Sequence, residues 1–206
     1  MSTDTTRTSE TTPARTSTAR TSTARVPLEH PGSLLARVLN LWTRRTYGQE
    51  MEPMLAMLHH RKVTTTVARL EMGVAKWSRV DAGLKELAQL SVASQIGCSW
   101  CMDFGYYLSR TNGMDVAKLE QVAEWRDSTV YTALERQVLA YAEAMTATPP
   151  TVTDEMVEAL RAELDDAQLV ELTEIISVEN LRSRTNSALG LTSQGFKSQC
   201  DLPQRP

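Results

Sequence analysis

Residues 81–110 read DAGLKELAQLSVASQIGCSWCMDFGYYLSR, and this stretch decides the fold. Its first half has apolar residues at helical spacing behind Asp81, a residue type typical of a helix N-cap. Those apolar positions are Leu84, Leu87, Leu90 and Val92. Gly97 ends this helix because glycine enters the left-handed conformation at little cost. A second helix then begins at Cys98 and runs to about Arg110, so the stretch predicts a helical hairpin with a cysteine at its turn.

Helical signals continue on both sides of this hairpin. The helix that begins after Asp115 is predicted to run to Trp125, and the long helix after Asp165 to about Ala188. Further signals are apolar faces at 34–42 and 51–58, a capping box at Thr132 and Glu135, a stop at Pro149 and Pro150, an N-cap at Thr153 and an end at Gly190. No useful run alternates apolar and polar residues. The fold class is therefore predicted as all-α, with about eight to ten helices and short loops.

The composition fits one globular domain of ordinary size. The chain has 206 residues, of which 41% are hydrophobic, 23% charged and only 5% aromatic. Few aromatic residues argue against an all-β fold, and no apolar run approaches about 18 residues, so a membrane-spanning helix is excluded. The formal net charge of −3 does not favour nucleic-acid binding.

Three segments differ in composition. Residues 1–25 are rich in Thr, Ser and Arg, with a direct repeat of ARTST at 14–18 and 19–23, and are predicted to be a disordered tail. Residues 26–198 are predicted to form a single helical domain, and residues 199–206 a C-terminal tail. The first segment also has the composition of an organelle transit peptide, but it lacks an amphipathic apolar face.

The chain has three cysteines, Cys98, Cys101 and Cys200. They are too few and too unevenly placed for a disulfide-stapled secreted domain, and no apolar signal region precedes them. These observations favour a reducing compartment, and we expect a cytoplasmic protein with Cys200 as a free thiol in the tail.

The sharpest chemical feature is Cys98-Ser-Trp-Cys101 at the head of a predicted helix. Two thiols at this spacing can form a disulfide, and the first-turn amides of the helix stabilise a thiolate. A zinc site would need about two more ligands, but there is no second CxxC and only the adjacent pair His59 and His60. Two buried structural thiols are the remaining alternative.

The region around the cysteines resembles a known signature. Glu86 stands twelve positions before Cys98, and Cys101 completes the CxxC, as in the alkylhydroperoxidase D-like branch of the carboxymuconolactone decarboxylase superfamily. The resemblance covers roughly residues 50–196. Later segments that are similar to the family's C-terminal helices are Leu134-Glu135, Ala140-Tyr141-Ala142, Met145-Thr146, 152–155, Asn180, Arg184, Asn186 and 188–190.

The resemblance implies an all-helical homo-oligomer, a trimer or a hexamer, that acts as a thiol-dependent peroxidase or disulfide reductase. Cys101 would attack a hydroperoxide, Cys98 would resolve the sulfenic acid, and Glu86 would serve as a general base or proton relay. No bound cofactor and no metal are expected. The electron donor would be a dithiol, either a thioredoxin-like protein or a lipoyl carrier.

One position departs from the family pattern. Four residues after Cys101, where the family has a histidine in the proton relay, this chain has Gly105. Candidate substitutes are Asp103, Tyr106, Tyr107, His59 and His60, while Trp100, Trp77, Trp125 and Phe104 are candidates to surround the thiols. The departure keeps open a non-catalytic redox sensor or scaffold. The name of the superfamily implies a further alternative, a lactone decarboxylase, which is less favoured because the CxxC is intact.

Overall fold

The computed structural model describes residues 22–30 and 32–200. Within that part of the chain the regular structure is entirely helical, which confirms the predicted all-α class. The nine α-helices are α1 (Leu34–Tyr47), α2 (Glu52–Met57), α3 (Arg61–Val74), α4 (Ala82–Ile96), α5 (Ser99–Thr111), α6 (Val116–Glu120), α7 (Ala133–Thr146), α8 (Asp154–Arg161) and α9 (Asp166–Ala188). Two short 3-10 helices lie at Val122–Glu124 and Lys197–Gln199.

The predicted helix starts are confirmed by their side-chain caps. Asp81 accepts hydrogen bonds from the amides of Gly83 and Leu84 at the start of α4. Reciprocal capping boxes open α7, at Thr132 and Glu135, and α9, at Asp165 and Gln168. Caps of this kind satisfy amides that have no partner inside the helix, which is why short sequence signals mark these boundaries well.

Helix α4 occupies the centre of the core, between α5, α7 and α9. Leu87, Ala88 and Val92 have no exposed surface, and α9 contributes the equally buried Leu172 and Ile176. A helix that is surrounded on several sides needs apolar residues around most of its circumference. The hairpin of α4 and α5 is therefore held rigidly against α9, and this packing positions the cysteines.

The helix predicted from Asp115 to Trp125 is split in two. Helix α6 ends at Glu120, and a separate 3-10 turn covers Val122–Glu124. Residues three apart lie on the same side of a 3-10 helix, so the tighter turn brings Val122 and Trp125 into one buried cluster. The sequence prediction of one continuous helix is wrong here because core packing overrides the local pattern.

The two predicted tails lie largely outside the described residues, at 1–21 and 201–206. The described end of the first tail contacts α9: Thr23 donates to the carbonyl of Gly190 at 2.7 Å, and the Arg25 guanidinium donates to that of Ala188 at 2.7 Å. Cys200 is half-buried and lies outside the Cys98–Cys101 disulfide. Among the described helices, none combines the length and the apolar character needed to span a bilayer.

Candidate active site

The turn between α4 and α5 places the first cysteine. Gly97 adopts a left-handed conformation with φ of 76°, and the amide of Cys98 donates back to the carbonyl of Ala93 at 2.9 Å. This is a common way to end a helix, and it leaves Cys98 in extended geometry as the N-cap of α5. The local sequence alone therefore puts the sulfur of Cys98 at the N-terminus of a helix.

Cys98 and Cys101 are joined by a disulfide, with 5.3 Å between their Cα atoms. The amide of Cys101 donates to the sulfur of Cys98 at 3.2 Å. Both residues are buried, at 1% and 7% exposure. The positive end of the α5 dipole and the first-turn amides favour a thiolate here once the disulfide is reduced.

Helix α9 supplies a polar side chain to the second cysteine. The side-chain amide of Asn186 donates to the sulfur of Cys101 at 3.4 Å, across 85 residues of sequence. Asn186 is itself buried. Sequence reasoning missed this residue as part of the site. The signal in the sequence is that Glu179, Ser183 and Asn186 recur at helical spacing, and the structure shows that all three are buried, which is unusual for polar residues.

Asp103 is a buried carboxylate one half-turn beyond Cys101. It accepts four backbone hydrogen bonds from residues 194–197, at 2.7 to 3.0 Å. These bonds hold residues 193–197 against the first turns of α5. Asp103 is one of the candidate replacements for the family histidine. Its carboxylate binds these four amides and thereby fixes this segment beside the cysteines.

Gln194 links this segment to the residue between the cysteines. Its side-chain oxygen accepts from the indole N–H of Trp100 at 2.7 Å and from the amide of Glu52 at 3.1 Å. Its side-chain nitrogen donates to the carbonyl of Glu50 at 2.9 Å. A single glutamine therefore joins α5, the 193–197 segment and the start of α2.

Aromatic rings pack around the disulfide turn. Trp100 and Phe104 from α5 meet Phe196, with ring centroids 5.0 Å apart for Trp100 and Phe104 and for Phe104 and Phe196. Tyr47 and Tyr107 complete this cluster. Two of the four candidate aromatics therefore lie near the thiols, whereas Trp77 and Trp125 belong to other apolar clusters.

The structure does not bring Glu86 to the cysteines. Its carboxylate accepts a hydrogen bond from the side chain of Asn112 at 2.7 Å. Asn112 is the C-cap of α5, whereas Cys98 is its N-cap. A helix of 13 residues is about 20 Å long, so this contact lies at the opposite end of α5 from the sulfur atoms.

Gly105 lies against α4. A Cβ atom added at this position would be 2.9 Å from the Cδ2 atom of Leu90, which is buried. A side chain at 105 would therefore require the side chain of Leu90 to shift. The family's histidine is replaced here by close packing between the two helices of the hairpin.

The candidate substitutes His59, His60 and Tyr106 make contacts with other groups. His59 is exposed, and its Nε2 atom is 2.7 Å from the carbonyl of Pro27. His60 is the N-cap of α3. Tyr106 lies beneath the Lys197 ammonium, which is 4.2 Å from the centroid of its ring. Within residues 22–30 and 32–200, no group of three His, Cys, Asp or Glu side chains converges as a metal site.

A buried acid lies two helical turns before Asn186 on α9. Burial raises the pKa of Glu179 to about 7, although Arg182 and a hydrogen bond from Ser183 at 2.8 Å oppose the shift. Arg182 also pairs with Glu71 on α3. This acid gives the core behind the cysteines a group that can titrate near neutral pH.

A surface depression of about 490 Å³ lies beside the site rather than over it. It is lined by α5, α6 and the 193–198 segment, and includes Met102, Asp103 and Lys197. Neither cysteine lines it. Both cysteines are buried and pack in one cluster with Trp100 and Phe196.

Comparison with known proteins assigns the chain to a family. The profile of the carboxymuconolactone decarboxylase family matches residues 61–144, which run from α3 to α7. The chain is also 34% identical to Uncharacterized protein YnjA of Escherichia coli (strain K12) over 169 residues, 79% of this chain and 88% of that protein. The chain therefore belongs to the carboxymuconolactone decarboxylase family, as its cysteine motif predicts.

Solved structures place the chain in the AhpD-like branch and show that the fold is not tied to one reaction. A protein of unknown function from Agrobacterium tumefaciens, provisionally assigned as the antioxidant defence protein AhpD, is 26% identical, with a TM-score of 0.63 over 66% of this chain and 94% of that one. The debrominase Bmp8 has a TM-score of 0.72 at 18% identity, over 85% of this chain and 95% of that one. The second likeness shows a shared fold alone.

Proposed function

We propose that this chain is a thiol-dependent peroxidase or disulfide reductase that cycles Cys98 and Cys101. The observation that carries the proposal is a disulfide-bonded CxxC, buried at the N-terminus of α5, in a chain of this family. The provisional antioxidant assignment of the Agrobacterium tumefaciens protein supports peroxide as the oxidant. Because a debrominase shares the fold, the choice of substrate rests on the cysteine pair and not on the fold.

The cycle starts from two reduced thiols. The Cys101 thiolate attacks the terminal oxygen of a hydroperoxide; the O–O bond breaks, and the products are a sulfenic acid and an alkoxide that takes up a proton. The thiol of Cys98 then attacks the sulfenic sulfur, which releases water and forms the disulfide. A dithiol donor reduces the disulfide by two successive exchanges and leaves with a disulfide of its own.

We propose that Cys101 attacks the peroxide and that Cys98 resolves the sulfenic acid. The hydrogen bond that the buried side chain of Asn186 donates to the sulfur of Cys101 supports this assignment, although the sulfur of Cys98 also accepts one, from the amide of Cys101. The resemblance predicts a proton relay through Glu86. The cycle above includes no step for this residue, because its carboxylate accepts a hydrogen bond from Asn112 at the far end of α5.

The partners and location follow from the same chemistry. The donor would be a dithiol of the thioredoxin-like or lipoyl-carrier class, and a pair that cycles through reduction fits a reducing compartment such as the cytoplasm.

We also propose self-association, because α1 carries a row of apolar side chains that are each at least 49% exposed. These are Leu34, Leu35, Val38, Leu41 and Trp42. A second copy of the chain would cover this face in a trimer or a hexamer.

Mass spectrometry after a short peroxide pulse tests the catalytic proposal. The reduced protein and its Cys98→Ser, Cys101→Ser and Cys200→Ser variants are exposed to hydrogen peroxide or cumene hydroperoxide, then trapped with an alkylating reagent. We expect a rapid Cys98–Cys101 disulfide in the parent and in Cys200→Ser. In Cys98→Ser we expect a sulfenic acid on Cys101 instead.

Cys200 serves as the reference thiol of the same chain. If Cys98 and Cys101 oxidise no faster than Cys200, the peroxidase proposal is wrong. Rapid disulfide formation in a single round, without turnover when a dithiol is supplied, would favour a redox sensor. Consumption of a lactone acid by a variant without cysteines would instead support decarboxylation.

A further inference from the structure

The side-chain amide of Asn186 donates a hydrogen bond to the sulfur of Cys101. The donor nitrogen lies 3.4 Å from the sulfur, and both residues are buried. Asn186 is on α9, which packs against both α4 and α5. The amide is therefore aimed at the sulfur by the central packing of the protein and not by a flexible loop.

The value of this hydrogen bond depends on the state of the sulfur. In the disulfide the acceptor is neutral and weak, whereas in a thiolate it carries a full negative charge. A donor that is already in place costs no reorganisation when that charge appears. The same contact therefore stabilises the thiolate much more than the disulfide.

The elements that pack against α5 carry charged side chains. Asp103 on α5 itself follows Cys101 by two residues, and its carboxylate accepts the four bonds from residues 194–197. Other charged side chains on these elements include Glu179 and Arg182 on α9, Lys197 at the end of the 193–197 segment and Lys85 and Glu86 on α4. A thiolate in a buried site is favoured where hydrogen bonds to the sulfur compensate for the loss of water.

We propose that Asn186 is a catalytic residue whose side-chain amide holds Cys101 as the reactive thiolate. It would take over thiolate stabilisation in a chain that has Gly105 at the position of the family's histidine. The inference rests on the thiol chemistry proposed above. It is separable from that proposal, because a thiolate can be titrated whether or not the protein reduces peroxides.

Ultraviolet titration of a single thiol tests the proposal. The background is Cys98→Ser with Cys200→Ser, in which Cys101 is the one remaining cysteine, and the thiolate is followed by absorbance at 240 nm. Replacing Asn186 by Leu removes the donor at similar volume. We expect the pKa of Cys101 to rise by about one unit, because a hydrogen bond to the charged form is lost.

Asn180→Leu is the matched control. Asn180 is also an asparagine of α9, but it donates to the hydroxyl of Thr146 at 3.0 Å and not to sulfur. We expect the thiol pKa to stay within about 0.3 units in this variant. If Asn186→Leu does not fold, Asn186→Ser provides a second test, and its shorter side chain should give an intermediate shift.

The pH dependence of reaction with bis(2-hydroxyethyl) disulfide separates a catalytic role from a structural one. Below the thiol pKa, Asn186→Leu should react about threefold to fourfold more slowly, because a tenfold loss of thiolate is partly offset by greater nucleophilicity. Above both pKa values it should react about threefold faster. A merely structural role would change the rate in the same direction at every pH.

An unchanged thiol pKa in Asn186→Leu, or the same shift in Asn180→Leu, would overturn the inference. If the pKa shift and the rate crossover appear but Cys101 does not react rapidly with peroxides, the inference stands and the peroxidase proposal fails. The two proposals therefore fail in distinguishable ways.

Discussion

The two sides of the cysteine site are built at different ranges along the chain. One side, the near wall (residues 97–101), is a turn whose hydrogen bonds join residues at most five apart, from Cys98 to Ala93 and from Cys101 to Cys98. The other, the far wall (Asn186 and residues 193–197), meets the cysteine helix across 85 to 94 residues. The near wall sets where the sulfur atoms lie. The far wall sets their hydrogen bonding and their exposure.

Breaking the far wall should have the largest effect. Asp103→Asn replaces a carboxylate that accepts four amide hydrogen bonds with a group that has one acceptor oxygen and its own N–H donors. We expect the free energy of unfolding to fall by about 3 kcal/mol in urea denaturation. Alkylation of the reduced cysteines should also become faster.

Asp115→Asn is the control for this substitution. Asp115 is an exposed N-cap of α6, and asparagine caps helices about as well as aspartate. We expect a change below about 0.5 kcal/mol. Equal losses in the two variants would show that the four amide bonds do not stabilise the far wall.

Glu179 makes the stability of the core behind the far wall depend on pH. Burial raises the pKa of this carboxyl from 4.5 to about 7, so the folded state binds its proton more tightly than the unfolded state does. The group's contribution to stability is therefore complete below pH 4.5 and is lost as the pH rises through about 7.

Glu179→Gln removes this titration while it keeps the shape of the side chain. Between pH 4.5 and pH 8 we expect the parent to lose about 3 kcal/mol of unfolding free energy relative to the variant. Urea denaturation of both proteins across this range measures the difference. Parallel stability curves would contradict the shift.

The smallest effect is expected at Glu86. Because its carboxylate is bound to Asn112, away from both walls, Glu86→Gln should change the peroxide oxidation rate of the cysteines by less than about twofold. Unfolding free energy should change by less than about 0.5 kcal/mol. A loss of tenfold or more in the oxidation rate would restore Glu86 as a proton relay.

Much of the fold could be predicted from the sequence because its signals are local. The N-caps at Asp81, Thr132 and Asp165 and the end of α4 at Gly97 depend on hydrogen bonds between residues a few positions apart. The split after α6 could not be predicted, because Val122 and Trp125 enter the core only when other helices are in place.

The candidate site divides in the same way. The sequence by itself determined the helical hairpin, the N-cap position of Cys98 and the family, since these depend on residue spacing. Only the tertiary structure decided that Asn186 reaches Cys101, that Asp103 binds residues 194–197 and that Glu86 bonds to the far end of α5. Spacing along a helix defines which residues share a face, but the neighbour that this face meets is chosen by packing between helices that are distant in sequence.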